Sequence, residues 1–323
     1  MKIKNIMITW VAGFIASNLA EELVKQWWNV IWIDNLLTWY LKNIENIQKK
    51  ENFIFIKEDI RNYEKINEIV KKYDIKYISH QAARWSVPKS VENPILTNDI
   101  NINWTLNILN IAKENNLKKV VVAISSSVYW DTPELPKKET MPYNAMSPYA
   151  TTKVTKEIYC KNFWELYELP TIWLRYFNVY WKRQDPNWDY AAVIPRWLYK
   201  SLNNEDLPLN WEWNQTRDFT YIEDVIQANI KALETENKKA FWKWYNICYW
   251  QQISIKDLWK NIIKATNSHS KIIKSPARKW DIQDSYWDYS FANQMFWYKP
   301  IFNMEQWFKE TVKWYKENKN YFN

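Results

Sequence analysis

Two side chains that could carry proton chemistry, Tyr149 and Lys153, stand at i and i+4 in the segment SPYATTK, residues 147–153. On a helix, residues at this spacing lie on one face and can touch. Tyrosine has an ordinary pKa near 10, so a phenolate that acts as a base near pH 7 needs about 4 kcal/mol of stabilisation. A neighbouring lysine ammonium and the positively charged ring of a bound cofactor could together supply stabilisation of this kind. The pair therefore indicates a tyrosine base, although a surface tyrosine and lysine without a role would show the same spacing.

A run of three serines follows the apolar segment KVVVAI, residues 119–124. Such a segment is typical of a buried strand, so the serines are expected at its carboxyl end. A hydroxyl at that position could hydrogen-bond the same substrate hydroxyl as Tyr149. The predicted catalytic residues are Ser125, Ser126, Tyr149 and Lys153.

The first predicted strand runs into the segment TWVAGFIAS, residues 9–17, and Asp34 ends the second strand. A dinucleotide site needs a tight turn here, a helix N-terminus aimed at the pyrophosphate, and a carboxylate after the second strand for the ribose. Gly13 suits the middle of the turn, but Trp10 stands where the first glycine belongs, and an indole there would block the approach of phosphate. The sequence Asp34-Asn35 favours NAD over NADP, because a carboxylate repels a 2′-phosphate.

The composition has one abnormal feature: 24 tryptophans and 1 glycine in 323 residues. At the average usage of about 7%, roughly 23 glycines are expected. An α/β chain needs many backbone positions with positive φ, which only glycine adopts without steric cost. We therefore hypothesise that most tryptophans stand where the organism inserts glycine, since the codon UGA is read as glycine by some bacteria and as tryptophan by others. A protein that is truly rich in tryptophan is the alternative.

Short apolar runs alternate with amphipathic stretches over the first half of the chain, and the pattern loosens after about residue 178. This alternation predicts an α/β fold with a doubly wound parallel sheet, the Rossmann architecture, and a smaller C-terminal substrate-binding region. The predicted domains are 1–177, joined by a strand and a helix from the C-terminal half, and 178–323. The predicted strands are 3–8, 29–33, 53–57, 76–79, 119–124 and 170–175. The predicted helices are 14–26, 62–72, 94–115, 147–167, 191–203, 222–235, 255–266 and 304–318.

Charge and residue counts exclude several classes of protein. The net charge is +8, but the lysines are scattered without a basic block, so no nucleic-acid partner is predicted, while a small anionic substrate is allowed. Two distant cysteines, Cys160 and Cys248, make a disulfide framework or zinc cluster improbable. Two histidines, His80 and His269, argue against a histidine-rich metal site or a Ser-His-Asp triad. Without a signal peptide or a run of 18 apolar residues, the sequence predicts a cytoplasmic protein that does not enter a membrane.

Over about residues 3–318 the chain resembles the extended short-chain dehydrogenases/reductases, and within them the nucleotide-sugar 4-epimerases, closest to the UDP-N-acetylglucosamine 4-epimerase group. The motifs that carry the resemblance are HQAARWSVPKS (80–90), SSSVYW (125–130), SPYATTK (147–153), RYFNVYWKRQDPNWDYAAVIPRW (175–197), QTRDFTYIEDV (215–225) and ARKWDI (277–282). Most motifs contain tryptophan where the family has glycine, whereas Trp197 and Trp314 look genuine by the same comparison. The tryptophans at family glycine positions are Trp10, Trp39, Trp85, Trp104, Trp130, Trp173, Trp181, Trp211, Trp213, Trp250, Trp280 and Trp297.

The resemblance implies two sets of binding residues. Arg217 and Arg278 would offer their planar guanidinium groups to a pyrophosphate, with an ordinary surface salt bridge as the alternative. The implied NAD contacts are Trp10, Gly13, Phe14, Ile15, Asp34, Asn35, Thr38, Asp59, Ile60, Gln81, Ala82, Ala83, Asn101, Tyr149, Lys153 and Tyr176. The implied UDP-sugar contacts are Ser86, Ser125, Ser126, Tyr149, Asn178, Ala192, Val193, Arg217, Arg278, Asp281 and Ser285.

The resemblance also implies a reaction, NAD-dependent inversion at C4 of a UDP-hexose, by a cytoplasmic homodimer. Tyr149 would take the 4-hydroxyl proton while C4 gives hydride to tightly held NAD⁺; the keto sugar would then turn over and regain the hydride. Ser285 falls where epimerases restricted to plain hexoses carry a tyrosine, so UDP-GlcNAc/UDP-GalNAc is the predicted pair. UDP-glucose and a UDP-N-acetyl-hexosaminuronic acid remain alternative substrates.

Three rival functions were weighed against this one. A nucleotide-sugar dehydratase of the same superfamily carries an Asp-Glu pair where this chain has Ser126 and Ser127. A UDP-glucuronate decarboxylase would likewise need a glutamate at Ser127. A non-enzymatic NAD-binding scaffold would be expected to lack the Tyr149–Lys153 pair.

Overall fold

Seven parallel strands form one central sheet in the computed structural model. It describes residues 4–10, 13–36, 41–84, 86–186, 192–209, 215–276, 282–301 and 303–322. The strands are β1 (Asn5–Thr9), β2 (Asn29–Asp34), β3 (Phe53–Lys57), β4 (Tyr77–His80), β5 (Lys119–Ser125), β6 (Thr171–Tyr176), β7 (Val179–Tyr180), β8 (Leu207–Leu209), β9 (Thr216–Asp218), β10 (Thr220–Tyr221), β11 (Lys243–Ile247), β12 (Gln252–Ser254) and β13 (Ile272–Lys274). The sheet has the order β11-β6-β5-β4-β1-β2-β3.

Eleven α-helices lie within the same described ranges. They are α1 (Phe14–Lys25), α2 (Tyr63–Lys72), α3 (Val87–Glu92), α4 (Pro94–Asn98), α5 (Trp104–Glu114), α6 (Pro148–Tyr167), α7 (Val193–Leu202), α8 (Ile222–Glu234), α9 (Ile255–Thr266), α10 (Ser290–Phe296) and α11 (Met304–Glu317). No helix in these ranges is long and apolar enough to cross a membrane.

Each face of the sheet is covered by helices, as the alternation of buried side chains on β1 shows. Ile6 and Ile8 belong to one buried cluster with residues of α1 and α8, whereas Met7 belongs to another with residues of α2, α5 and α6. Successive strand residues point to opposite faces, so both faces of β1 are buried. The predicted doubly wound parallel sheet is therefore confirmed.

The strand order reverses between β1 and β4, which lie side by side in the centre. Thr9 at the end of β1 pairs in register with His80 at the end of β4. Chains leave these two strands in opposite directions, and the crevice between them is where ligands bind in folds of this type. The fold thus places the β1–α1 turn and the β4 loop at one potential site.

Six of the sheet strands were located in the sequence, and the seventh, β11, fits the strand that was predicted to join from the C-terminal half without a stated position. It comes from the C-terminal half and pairs with β6 from Lys243–Ile172 to Ile247–Tyr176. The helix predicted over residues 94–115 is two helices, α4 and α5, joined by a π-helical turn, Asp99–Asn103. The boundary between residues 177 and 178 stays a prediction. β7–β10, β12 and β13 form three separate two-stranded ladders.

Candidate active site

Two adjoining chambers lie at the carboxyl edge of the sheet and meet at Trp10 and Ala83, which line both. We call them the β2 chamber, of about 810 Å³, and the α6 chamber, of about 1240 Å³. Predicted residues that line the β2 chamber are Asp34, Asn35, Ile60, Ala82 and Ser86. Predicted residues that line the α6 chamber are Gly13, Phe14, Ile15, Gln81, Ser125, Tyr149, Lys153, Tyr176, Asn178 and Ala192. Most of the predicted site is thus brought together.

The β1–α1 turn separates the two chambers. Trp10 has φ of 60°, and its backbone N–H donates to the carbonyl of Ile33 (2.9 Å). Gly13 is the N-cap of α1, with φ of −72°, and its carbonyl accepts from Ser17 N–H (3.1 Å). The first turn of α1 therefore faces the chambers with backbone N–H groups, which is a favourable arrangement for a phosphate.

A carboxylate closes the β2 chamber at the end of β2. Asp34 is 3% exposed, and its Oδ1 accepts from the N–H of Leu36 (2.7 Å). The neighbouring Asn35 donates to Asp59 (3.1 Å), a residue that supports the wall from behind. Burial works to raise the pKa of Asp59, but hydrogen bonds from Arg61 outweigh it and the pKa is lowered. A buried acceptor in this place suits the hydroxyls of a ribose.

Asn101, another predicted cofactor residue, also acts behind the wall. Its side-chain oxygen accepts from the N–H of Arg84 (2.7 Å), and its nitrogen donates to the Arg84 carbonyl (3.2 Å) and to Thr152 (2.9 Å). These contacts tie the loop after β4 to α6. Of the remaining predicted cofactor residues, Thr38 lies outside the described residues.

The predicted catalytic pair, Tyr149 and Lys153, lies in the first two turns of α6. Ser147 caps this helix by accepting from Ala150 N–H (3.1 Å), and the helix begins at Pro148. Tyr149 is 8% exposed and Lys153 is 2% exposed; the lysine Nζ lies 5.4 Å from the centre of the tyrosine ring. The shared face predicted from the i, i+4 spacing is therefore present.

Burial is the largest influence on the acidity of both members of the pair. Burial raises the pKa of Tyr149 to about 12, while its hydrogen bond with Ser125 acts in the opposite direction. Burial, with Lys156 nearby, holds the pKa of Lys153 well below its usual range, and its Nζ donates to the carbonyl of Ala123 (3.2 Å). Desolvation is the largest influence on the pKa of Tyr149 here. The lowered pKa, which the sequence analysis assigns to Lys153 and a positive cofactor ring together, stays a prediction.

The serine run takes two different positions after β5. Ser125 lines the α6 chamber and accepts from the N–H of Ser127 (3.2 Å), whereas Ser126 begins a 3₁₀ turn and is not among the lining residues. Ser127 has a buried hydroxyl with no hydrogen-bond partner among the described residues. Ser125 is therefore the serine placed to act with Tyr149.

A buried network forms the floor of the α6 chamber. Gln81 donates to Tyr176 OH (3.2 Å) and Asn229 (3.1 Å), and Asn229 also donates to the tyrosine hydroxyl (2.9 Å). His80, which ends β4, contacts Thr9 through Nδ1 (3.0 Å), and burial holds its pKa well below its usual range. The network fixes Gln81 and Tyr176, both predicted cofactor residues, against the end of the sheet.

The predicted sugar residues are only partly gathered. Asn178 donates to the Asp218 carbonyl (2.9 Å) and lies 3.4 Å from the hydroxyl of Ser285. Ser285 is 1% exposed and does not line either chamber. Arg217 donates to the carbonyls of Thr216 (2.7 Å), Ile282 (2.8 Å) and Gln283 (3.2 Å). Val193 begins α7 beside the lining residue Ala192, and Arg278 and Asp281 lie outside the described residues.

One functional contact was missed by the sequence analysis. Arg175, next to Tyr176 on β6, makes two hydrogen bonds to Glu157 on α6 (2.7 and 2.6 Å), and both side chains are fully buried. Tyr143 also donates to Glu157 (2.8 Å). This ion pair fastens the catalytic helix to the sheet, but its two members belong to separate elements, so no spacing rule indicated it.

The profile of a family described as GDP-mannose 4,6 dehydratase matches residues 7–311. The chain belongs to this family. It is 35% identical over 314 residues to a putative UDP-glucose 4-epimerase of Methanocaldococcus jannaschii, covering 97% of this chain and 99% of the relative.

Solved structures agree with this membership. The UDP-N-acetylglucosamine 4-epimerase of Methanobrevibacter ruminantium, in complex with UDP-N-acetylmuramic acid, is 36% identical with a TM-score of 0.92, covering 98% of this chain and 99% of that one. The UDP-glucuronic acid 4-epimerase of Bacillus cereus, in complex with UDP-glucuronic acid and NAD, is 28% identical with a TM-score of 0.89, covering 97% and 99%. The chain is accordingly an enzyme of the nucleotide-sugar epimerase and dehydratase family.

Proposed function

We propose that the chain is an NAD-dependent 4-epimerase that interconverts UDP-GlcNAc and UDP-GalNAc. The observation that carries this proposal is the joint presence of Tyr149, Lys153 and Ser125 in the α6 chamber. Ser126 and Ser127 follow, where a dehydratase would carry an acid pair for the elimination of water. Two serines cannot perform that proton transfer, so inversion at C4 is favoured over elimination.

Residues in the β2 chamber and in the α6 chamber could together hold NAD. Asp34 offers an acceptor for the adenosine ribose, the start of α1 offers N–H groups for the pyrophosphate, and Tyr149 with Lys153 would hold the nicotinamide ribose. When bound, NAD⁺ accepts hydride from C4 and returns it, and its positive ring favours the ionised form of Tyr149. Trp10 is the one residue that does not fit, since it lies where the chambers meet.

The chain's own residues account for the proton. Tyr149, in its ionised form, removes the proton of the 4-hydroxyl. After the keto sugar has turned, Tyr149 returns the proton to the same oxygen while C4 regains hydride on its opposite face. Ser125 hydrogen-bonds Tyr149 and can do the same for the substrate oxygen. Burial of both side chains keeps water from the reacting carbon, so the oxidised sugar returns to product in place.

The test is the incubation of the purified protein with UDP-GlcNAc and the separation of the products by ion-pair chromatography. We expect UDP-GalNAc to form without added NAD and without net consumption of cofactor. A 4-keto-6-deoxy sugar as the product would show a dehydratase, and a pentose product from a uronic acid substrate would show a decarboxylase. Either result would overturn the proposal.

A homodimer is the proposed assembly, because α3, α4, α6 and the residues just before α6 expose apolar side chains to solvent. Ile95 is 83% exposed, Met146 64%, Val91 54% and Ile158 49%. The cost of leaving such a surface in water favours its burial against a second copy of the same chain. Light scattering at micromolar concentration should give twice the mass of one chain, and a monomer would overturn this assignment.

A further inference from the structure

Six tryptophans occupy the left-handed region of backbone conformation. Their φ values are 60° for Trp10, 62° for Trp27, 45° for Trp130, 57° for Trp242, 65° for Trp250 and 58° for Trp297. A bulky residue is a true outlier in this region, which glycine adopts at no steric cost. The single glycine, Gly13, has φ of −72° and makes no use of its freedom.

Trp27 shows what such a position requires. It follows α1, where Trp27 N–H donates to Val24 (3.1 Å) and Trp28 N–H donates to Leu23 (3.0 Å). These two bonds form a Schellman motif, whose left-handed residue is usually glycine and sometimes asparagine. The Trp27 side chain is 82% exposed, so packing does not explain its presence.

Other helices end in the same way with suitable residues. After α2 the motif places Asp74 in the left-handed position, with φ of 46°, and after α5 it places Asn116, with φ of 50°. Short polar residues tolerate this conformation because they hydrogen-bond locally. Trp297, 70% exposed at the end of α10, repeats the anomaly of Trp27. Tryptophan thus stands at positions that suit glycine, although the left-handed residues of the described ranges also include Leu36, Glu168 and Arg183, with φ of 60°, 54° and 67°.

Trp10 links this anomaly to the cofactor cleft. Its left-handed backbone turns the chain from β1 toward α1, and its side chain lines both chambers. A residue without a side chain would leave the turn intact and join the chambers into one cleft. The joined cleft would run from Asp34 past the start of α1 to Tyr149.

We propose that the functional protein carries glycine at these six positions, because the source organism decodes the corresponding UGA codons as glycine. At Trp10 the proposal rests on the proposed function, since it supplies the space for the pyrophosphate of NAD. At Trp27 and Trp297 it rests on backbone conformation alone. Trp197 provides the contrast: it lies inside α7, is 2% exposed, and its indole N–H donates to the Pro208 carbonyl (3.0 Å), so it is a genuine tryptophan.

The direct test is peptide mass spectrometry of the protein isolated from its source organism. Trypsin releases residues 5–25, in which Trp10 is the one tryptophan of the written sequence, and residues 197–200, which contain Trp197. The first peptide should have the mass of glycine at position 10, and the second the mass of tryptophan. Tryptophan at position 10 would overturn the proposal, whatever the enzyme does.

Recombinant chains separate the proposal from the proposed function. The chain as written is compared with a variant that has glycine at all six positions, and with the same variant carrying Trp197→Gly as a matched control. The six-glycine chain should unfold at a higher temperature than the written chain and bind NAD about tenfold or more tightly. The Trp197→Gly control should unfold at a lower temperature than the six-glycine chain, because a packed indole is lost.

The possible outcomes are distinct. If the written chain is as stable as the six-glycine chain, or more stable, the glycine proposal is overturned. If the six-glycine chain is more stable and holds NAD but does not invert C4, the glycine proposal stands and the proposed function fails. If the written chain does not fold and the six-glycine chain does, the glycine proposal is supported.

Discussion

The two ends of the cleft differ in how well the written sequence suits the backbone. At the α6 end, Tyr149 and Lys153 are held by a capped helix and by the buried pair of Arg175 and Glu157. At the β1–α1 end, Trp10 lies in a left-handed conformation that strongly disfavours a bulky side chain. Candidate catalytic side chains can therefore be named from their residue types, whereas a phosphate-binding turn depends on a position without a side chain.

The largest expected effect lies at the α6 end. Tyr149→Phe removes the proton-transferring hydroxyl and should lower the turnover of UDP-GlcNAc by about a thousandfold, the usual worth of a general acid–base group. NAD content should stay unchanged, because the ring and Lys153 remain. Tyr167→Phe, on the exposed part of the same helix, is the matched control and should leave turnover intact. Turnover of the Tyr149→Phe variant near that of the control would contradict the assigned base.

The ion pair of Arg175 with Glu157, which supports α6, can be removed without changing Tyr149 or Lys153. Glu157→Gln leaves the guanidinium of Arg175 buried without a counter-charge and should lower the free energy of unfolding by about 3–5 kcal/mol. Urea unfolding measures this loss. Glu165→Gln removes the exposed partner of Lys161 (3.5 Å) and should cost at most about 1 kcal/mol. Equal losses in the two variants would show that the buried pair does not hold the helix.

The preference for UDP-GlcNAc over UDP-glucose tests the role of Ser285, which lies behind the α6 chamber. Ser285→Tyr places a bulky ring beside Asn178 and should lower kcat/KM for UDP-GlcNAc relative to UDP-glucose by about tenfold or more, as steric exclusion in a binding pocket does. Ser268→Tyr, a buried serine that lines neither chamber, controls for general damage to packing. An unchanged ratio of the two kcat/KM values in Ser285→Tyr would remove this residue as a determinant.

The smallest effect concerns a left-handed residue outside the cleft, at the C-terminal end of α1. Trp27→Gly relieves a left-handed backbone without touching either chamber and should raise the free energy of unfolding by about 1–2 kcal/mol. Leu41→Gly, an exposed residue in a short 3₁₀ helix, should instead lower it. A loss of stability in Trp27→Gly would mean that the indole itself contributes to the fold.

The sequence alone predicted the features that depend on the spacing of neighbouring residues. The strand at 53–57 and the Tyr149–Lys153 face follow from period and spacing, and both are present. A strand from the C-terminal half was predicted, but its position was not, because KWYNI lies among loops and gains its partner, β6, only in the folded chain. The ion pair of Arg175 with Glu157 and the raised pKa of Tyr149 depend on burial between separate elements, which a single sequence does not encode as a spacing.

The measurement that tests the central claim most directly uses UDP-GlcNAc with deuterium at C4. If the chain is a 4-epimerase that removes and returns the C4 hydrogen in a closed chamber, the UDP-GalNAc formed retains the deuterium at C4, as NMR would show. Loss of the deuterium to water, or its recovery at C6 of a 4-keto-6-deoxy sugar, would contradict the account.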